Sequence, residues 1–145
     1  MNLVQKPSGR SATRHLATAM LAVYWTALCV GTHLPGRFLT APLNVSDKVL
    51  HFLAYTGLGI LLAAFLPLLG ARDWRVSWGA LAIVLVYAAL DELGQMLVPG
   101  RTAELADWLA NAGGAVTGVS GFQLTYLSMG APFFRLQLEK KPSPP

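Results

Sequence analysis

Four long stretches of the sequence carry almost no formal charge, and each is long enough to cross a lipid bilayer. They cover residues 16–34, 49–69, 76–98 and 108–129, which is 19, 21, 23 and 22 residues. A helix needs about 20 apolar residues to span the hydrocarbon core. Asp91 and Glu92 are the only Asp, Glu, Lys or Arg residues within these stretches. We therefore predict four transmembrane helices.

The composition suits lipid better than water as the solvent of this chain. Hydrophobic residues make up 54% of the sequence and charged residues 12%, whereas a soluble domain usually has about 25% charged residues. The net charge of +4 does not indicate nucleic-acid binding, because the basic residues form no strip with exposed aromatics and no recognition motif accompanies them. The single cysteine, Cys29, excludes a disulfide or a cysteine-based zinc site within one chain.

Most basic residues lie on one side of the predicted spans. The first side has Lys6, Arg10, Arg14, Arg72, Arg75, Arg135, Lys140 and Lys141, and the other has Arg37, Lys48 and Arg101. The positive-inside rule then places both termini in the cytoplasm. The first apolar run is longer than that of a signal peptide and no clear cleavage site follows it, so we expect it to remain as a span.

The predicted spans are joined by short links, which favours antiparallel neighbours in a compact bundle. The fold class is therefore all-α: a polytopic membrane protein with a four-transmembrane-helix antiparallel bundle. We divide the chain into a cytoplasmic N-terminal segment (1–15), a transmembrane domain (16–129) and a cytoplasmic tail (130–145). The proline-rich end of the tail is expected to be disordered.

Polar residues collect where three of the spans reach the non-cytoplasmic side. Asp47, His51 and Tyr55 follow one another at intervals of four residues and share one helix face, with Ser46 as a possible N-cap. The same four-residue interval separates Asp91 from Gln95 and Asp107 from Asn111. The candidate polar pocket contains Asp47, Lys48, His51, Tyr55, Asp91, Glu92, Gln95, Arg101, Asp107 and Asn111. Because ionisable groups inside membrane spans are costly, their convergence on one side indicates a functional site.

Simpler roles remain open for several of these residues. Asp47 and Asp107 could serve only as helix caps, and Gln95 and Asn111 could form only hydrogen bonds between helices. Gly114 and Gly118 form a GxxxG pair, which is typical of close helix packing in lipid. His15 and His33 lie at helix borders, and we assign them no role.

The acidic pair at the end of the third span needs a partner. Asp91 and Glu92 gain nothing from the helix dipole there, because the C-terminal end of a helix is already negative. Arg101, Lys48, His51 or a bound cation could supply the positive charge.

The motifs together resemble the VanZ-like membrane protein family, which is named for a glycopeptide (teicoplanin) resistance accessory protein. The resemblance runs from about Asp47 to Gly118. It rests on the following residues: Asp47-Lys48-x-x-His51 with Tyr55, Asp91-Glu92-x-x-Gln95, Pro99-Gly100-Arg101, and Asp107-x-x-x-Asn111 with Gly114 and Gly118. One departure is that no aromatic residue follows Arg101 before Trp108. The resemblance implies a polytopic membrane protein in cell-envelope or antibiotic-resistance biology.

Four functions remain as alternatives. The first is binding of an anionic or lipid-linked envelope component, with membrane lipids as further partners and no nucleic acid. The second is an intramembrane hydrolase or transferase acting on a lipid-linked substrate. A divalent metal is possible there among Asp47, His51, Asp91, Glu92 and Asp107, with His51, Asp91 and Glu92 as the leading candidates. The third is a structural scaffold, and the fourth is transport by an oligomer. The sequence requires no cofactor, and oligomerisation through Gly114 and Gly118 is possible.

Overall fold

A computed structural model describes residues 9–35, 46–69 and 74–128. These residues form four α-helices and no strand. The helices are α1 (Gly9–Thr32), α2 (Asp47–Phe65), α3 (Trp74–Gln95) and α4 (Leu105–Ser128), and a 3₁₀ turn (Leu66–Leu69) extends α2. The all-α fold class is therefore confirmed for the described residues. The helix ends lie within four residues of the ends of the predicted spans, except that α1 begins seven residues before the first predicted span.

Local chemistry explains where the helices near the polar residues begin and end. Ser46 is the N-cap of α2, as predicted, and its hydroxyl accepts a hydrogen bond from the Val49 amide at 3.4 Å. The chain leaves α3 through a turn at Pro99 and Gly100, and Gly100 adopts a φ of 81° that favours glycine. This turn allows α4 to start after only nine residues, so the C-terminal end of α3 and the N-terminal end of α4 lie together.

Three of the described helices are long and apolar enough to cross a membrane. These segments are Ser11–Thr32, Asp47–Leu69 and Arg75–Gln95. Large aliphatic side chains such as Val23, Leu53 and Ile83 lie exposed on the outside of α1, α2 and α3. Exposed aliphatic side chains on every one of these helices suit a lipid environment. The protein is thus a membrane protein, while α4 as a fourth span and the cytoplasmic position of the termini stay predictions.

The closest helix packing joins α2 and α4. Gly59 of α2 faces α4 so closely that a Cβ there would lie 2.7 Å from the Ala115 carbonyl oxygen. A Cβ at Gly114 would overlap the carbonyl oxygen of Phe52, and one at Gly118 would overlap that of Thr56. Gly114 and Gly118 therefore bring the two backbones together within one chain, which sets the separation of the polar residues that both helices carry.

The hydrophobic core lies between the four helices, beneath the polar residues. It consists of Leu28, Tyr55, Leu58, Ala63, Leu81, Val84, Ala88, Ala115 and Val119. Tyr55 belongs both to this core and to the candidate pocket, because its ring is buried while its hydroxyl reaches the polar end. Residues 36–45 of the predicted link 35–46, residues 70–73 of the predicted turn 70–75, and the predicted tail 130–145 lie outside the described residues, as do residues 1–8 and 129.

Candidate functional site

Buried polar side chains are concentrated at one end of the bundle. Within the described part of the chain they are His51, Ser77, Asp91, Glu92, Gln95, Asp107 and Asn111. All except Ser77, which contacts Gln123, lie where the C-terminal ends of α1 and α3 meet the N-terminal ends of α2 and α4. We call this region the polar end. All ten residues of the predicted pocket lie here.

His51 links α2 to α4. Its Nδ1 lies 3.0 Å from Oδ1 of Asn111, and both side chains are buried. On the other side of the ring, Nε2 lies 3.6 Å from Oδ2 of Asp47, one helical turn earlier. Arg101 Nη1 approaches the same Asp47 oxygen at 3.4 Å, and Arg101 Nε donates to the carbonyl of Leu34 at the end of α1.

Lys48 joins α2 to the start of α4. Its Nζ lies 2.9 Å from Oε2 of Glu104 and 3.0 Å from Oδ1 of Asp107. Asp107 is only 5% exposed, whereas Lys48 and Glu104 are about half exposed. Asp107 Oδ1 makes this ion pair but has no hydrogen bond with suitable geometry among the described residues. The buried Nδ2 of Asn111 likewise has no hydrogen-bond acceptor among them.

Asp91 accepts hydrogen bonds from three different helices. Its Oδ1 is 2.9 Å from the hydroxyl of Thr32 on α1 and 3.4 Å from that of Tyr87 on α3. Its Oδ2 is 3.3 Å from the hydroxyl of Tyr55 on α2. His33 Nδ1 is a further 3.6 Å neighbour of Oδ1. A buried carboxylate is thus stabilised by several hydroxyl donors.

Glu92 faces the segment that leads into α4. Its Oε1 accepts the backbone N–H of Glu104 at 2.7 Å, and its Oε2 lies 3.4 Å from Nε2 of Gln95. Glu92 and Glu104 also line an open cleft of about 270 Å³ whose other walls are apolar. Those walls are formed by Ala89, Leu93, Ala103, Leu105 and Trp108.

The partners of the acidic pair differ from the sequence-based expectation. Among the described residues, neither Asp91 nor Glu92 pairs with Arg101, Lys48 or His51. The reason is that the turn after α3 carries Arg101 towards α2, where it meets Asp47, and leaves Glu92 beside the Glu104 amide.

Sequence reasoning missed four contributors to the polar end: Thr32, His33, Tyr87 and Glu104. Only Tyr87 had a usable signal, because it precedes Asp91 by four residues and shares its helix face. Thr32 and His33 were not predictable, because nothing in the sequence shows that the end of α1 contacts α3.

Two groups of side chains within the described residues are close enough to hold a metal ion. The first is Asp47, His51 and Asp107, and the second is Cys29, His33 and Asp91; in each group the possible ligand atoms lie within 4.8 Å of one another. Of the sequence-based candidates, Asp47, His51 and Asp107 therefore lie in one group, Asp91 lies in the other, and Glu92 lies in neither.

Negative charge predominates at the polar end. The described carboxylates there are Asp47, Asp91, Glu92, Glu104 and Asp107, and the described permanent cations are Lys48 and Arg101. Both cations already contact carboxylates. In the described part of the chain, the carboxylates of the polar end therefore outnumber its permanent cations by three, and Asp91 and Glu92 contact neither cation.

The fold and the polar end define a helical multi-pass membrane protein with buried ionisable side chains at one end of its bundle. The family model described as VanZ/LLP1 matches residues 6–126, most of the chain. The chain belongs to this family, which confirms the resemblance seen in the sequence motifs. Comparisons with curated proteins and with solved structures gave no significant match.

Proposed function

We propose that this protein uses its polar end, on the non-cytoplasmic side of the membrane, to bind the saccharide head of a lipid-linked cell-envelope component. The observation that carries the proposal is the convergence of buried carboxylates and amides from α3 and α4 with the buried imidazole of His51 from α2, in a lipid-facing bundle. Ionisable groups at such positions are costly, so their presence indicates a ligand or substrate.

The topology in the proposal follows from charge and from the surface of α4. The excess of Lys and Arg around the opposite helix ends supports a cytoplasmic position for those ends. α4 exposes Leu109, Leu124 and Leu127 on its outer surface, which supports α4 as the fourth span. With four spans the polar end faces away from the cytoplasm.

The proposed chemistry of the head group follows from the hydrogen-bond donors and acceptors of the polar end. Lys48 and Arg101 are each engaged with carboxylates, so an anion would have to displace these contacts. Carboxylates, in contrast, accept hydrogen bonds from hydroxyl or amino groups. The excess of acceptors therefore favours a sugar over a bare phosphate as the recognised part.

We assign the lipid part to the cleft beside the head group. This cleft, between the end of α3 and the start of α4, is lined by Glu92 and Glu104 together with apolar residues such as Leu93 and Trp108. A ligand with a polar head and a hydrocarbon tail matches a cleft with both kinds of wall. A role in cell-envelope or antibiotic-resistance biology is consistent with the family name.

The test is a binding measurement on the purified full chain in lipid nanodiscs. Three ligands are compared: a polyprenyl-diphosphate disaccharide, polyprenyl phosphate without sugar, and phosphatidylglycerol. We expect the saccharide-bearing lipid to bind roughly tenfold more tightly, as one or two hydrogen bonds to a carboxylate would provide. Glu92→Gln should lose this preference. Asp73→Asn, in the predicted cytoplasmic link and outside the described residues, is the matched control and should keep it.

Equal affinity for the three lipids would contradict saccharide recognition. A preference that survives Glu92→Gln would contradict the assignment of the cleft. A chain whose polar end is only a scaffold would show neither the preference nor its loss.

A further inference from the structure

Two residues of α2 and one of α4 bring three metal-ligand side chains to one point. Asp47 and His51 share a face of α2, and Asp107 reaches them from the first turn of α4. One ligand atom from each lies within 4.8 Å of the other two. One imidazole nitrogen and two carboxylates are a donor set used by divalent transition metals.

The hydrogen bond from His51 to Asn111 determines which ring nitrogen is free. Asn111 Oδ1 can only accept, so the Nδ1 of His51 at 3.0 Å must carry the proton and donate it. In a neutral imidazole the Nε2 then presents a lone pair. Histidine ligands of metals are commonly held in this way, with the other ring nitrogen donating to a neighbouring oxygen.

The free nitrogen faces an oxygen at a distance that does not suit a hydrogen bond. His51 Nε2 and Asp47 Oδ2 are 3.6 Å apart, whereas N–H···O bonds measure about 2.7–3.2 Å. Two ligand atoms each about 2.1 Å from a tetrahedrally bound metal ion would be about 3.4 Å apart. The separation therefore fits two ligands of one ion better than a donor and an acceptor.

Asp107 supplies the independent observation. Its Oδ1 is buried and makes no hydrogen bond of suitable geometry among the described residues, where its charged neighbour is Lys48 Nζ at 3.0 Å. Lys48 also contacts Glu104 and is about half exposed, so it keeps a carboxylate partner when Asp107 binds another cation. The negative charge left over at the polar end favours a second cation at this point.

From this geometry we infer that Asp47, His51 and Asp107 together bind one divalent transition-metal ion, with Asn111 as a positioning residue that orients His51. The site goes beyond the proposed saccharide binding, and its occupancy is measured without lipid ligand. The ion belongs to the zinc or manganese class, because the imidazole nitrogen disfavours the hard cations that prefer all-oxygen sites.

The other group, Cys29, His33 and Asp91, is the weaker candidate. His33 Nδ1 is 2.9 Å from the carbonyl oxygen of Cys29, and three hydroxyl groups donate to the two oxygens of Asp91. An ion there would have to displace bonds that already satisfy Asp91, so His33 serves as a control.

The experiment uses the full chain purified in detergent through a tag without histidine and stripped with a chelator. Zn²⁺ is added in slight molar excess and Mn²⁺ is tested in parallel. Bound metal is counted by mass spectrometry after desalting, and affinity is measured by calorimetry. We expect one ion per chain. His51→Gln and Asp47→Asn should weaken binding by more than about 100-fold. Asn111→Ala should weaken it by roughly 10–100-fold, as for other residues that hydrogen-bond to a metal-binding histidine.

The chain has three histidines, so His15→Gln and His33→Gln complete the set of controls and should keep full binding. Asp47→Asn changes a half-exposed side chain and keeps its shape, so it tests the site without threatening the fold. Absence of stoichiometric metal from the wild type would overturn the inference. So would binding that survives His51→Gln or is lost in His33→Gln.

Discussion

Substitution of Gly114 by alanine tests whether close packing of α2 against α4 sets the geometry of the polar end. A Cβ at Gly114 would overlap the carbonyl oxygen of Phe52 and lie 3.0 Å from the amide nitrogen of Thr56. Both atoms belong to the backbone of α2 and cannot rotate away. The two helices must therefore separate.

The size of the effect follows from the overlap. Restoring an ordinary C···O separation of about 3.3 Å requires the helices to move apart by roughly 1 Å. Overpacking of this kind costs about 1–3 kcal/mol, and the rigidity of a backbone contact favours the upper part of that range. The same movement would draw Asn111 away from His51, because Asn111 precedes Gly114 by less than one turn of α4.

The adjacent glycine is the matched control. A Cβ at Gly113 would lie 3.7 Å from the ring of Phe52, which is an ordinary contact. Both substitutions gain the same helix propensity, about 1 kcal/mol over glycine. The difference between Gly114→Ala and Gly113→Ala in free energy of unfolding, measured in mixed detergent by loss of helical circular dichroism, therefore isolates the overlap. Equal stability of the two variants, or a more stable Gly114→Ala, would refute the reasoning.

Two further experiments test the polar end and its orientation. Asp91→Leu should lower the free energy of unfolding by about 1–3 kcal/mol, because three hydroxyls lose their acceptor. Glu104→Gln alters a half-exposed ion pair and should change the free energy of unfolding by less than about 1 kcal/mol. Equal losses in detergent unfolding would argue against a stabilising role for Asp91. In a Cys29→Ala background, a membrane-impermeant maleimide should label Thr102→Cys in intact cells and leave Arg72→Cys unlabelled. The reverse pattern would invert the proposed topology.

The helical fold was predictable from the sequence because charged residues are scarce and their positions separate the apolar helices. Uncharged stretches of about 20 residues mark the helices, and Ser46 marks where α2 begins. α4 shows the limit of this reasoning. It is as long as α1, but it contains polar residues such as Gln123 and Thr125, and it is not among the helices that length and composition identify as candidate spans.

The members of the polar end were predictable, but their pairing was not. Four-residue spacing identified Asp47 with His51 and Asp107 with Asn111, since it reports residues on one face of one helix. Contacts between helices depend on packing and on the path of the loops, which spacing does not encode. For that reason the sequence suggested Arg101 as a partner of Asp91 and Glu92, and the structure places it against Asp47.

The two neighbouring carboxylates of α3 differ in when their partners are synthesised. The hydroxyls that donate to Asp91 come from residues 32, 55 and 87, all earlier in the chain. The main donor to Glu92 is the amide of Glu104, which emerges twelve residues later. During synthesis Asp91 can thus gain its donors as soon as α3 meets the preceding helices, while Glu92 lacks its closest donor until the lead into α4 has been made. The buried state of Glu92 seen in the structure therefore depends on residues that follow α3 in the chain.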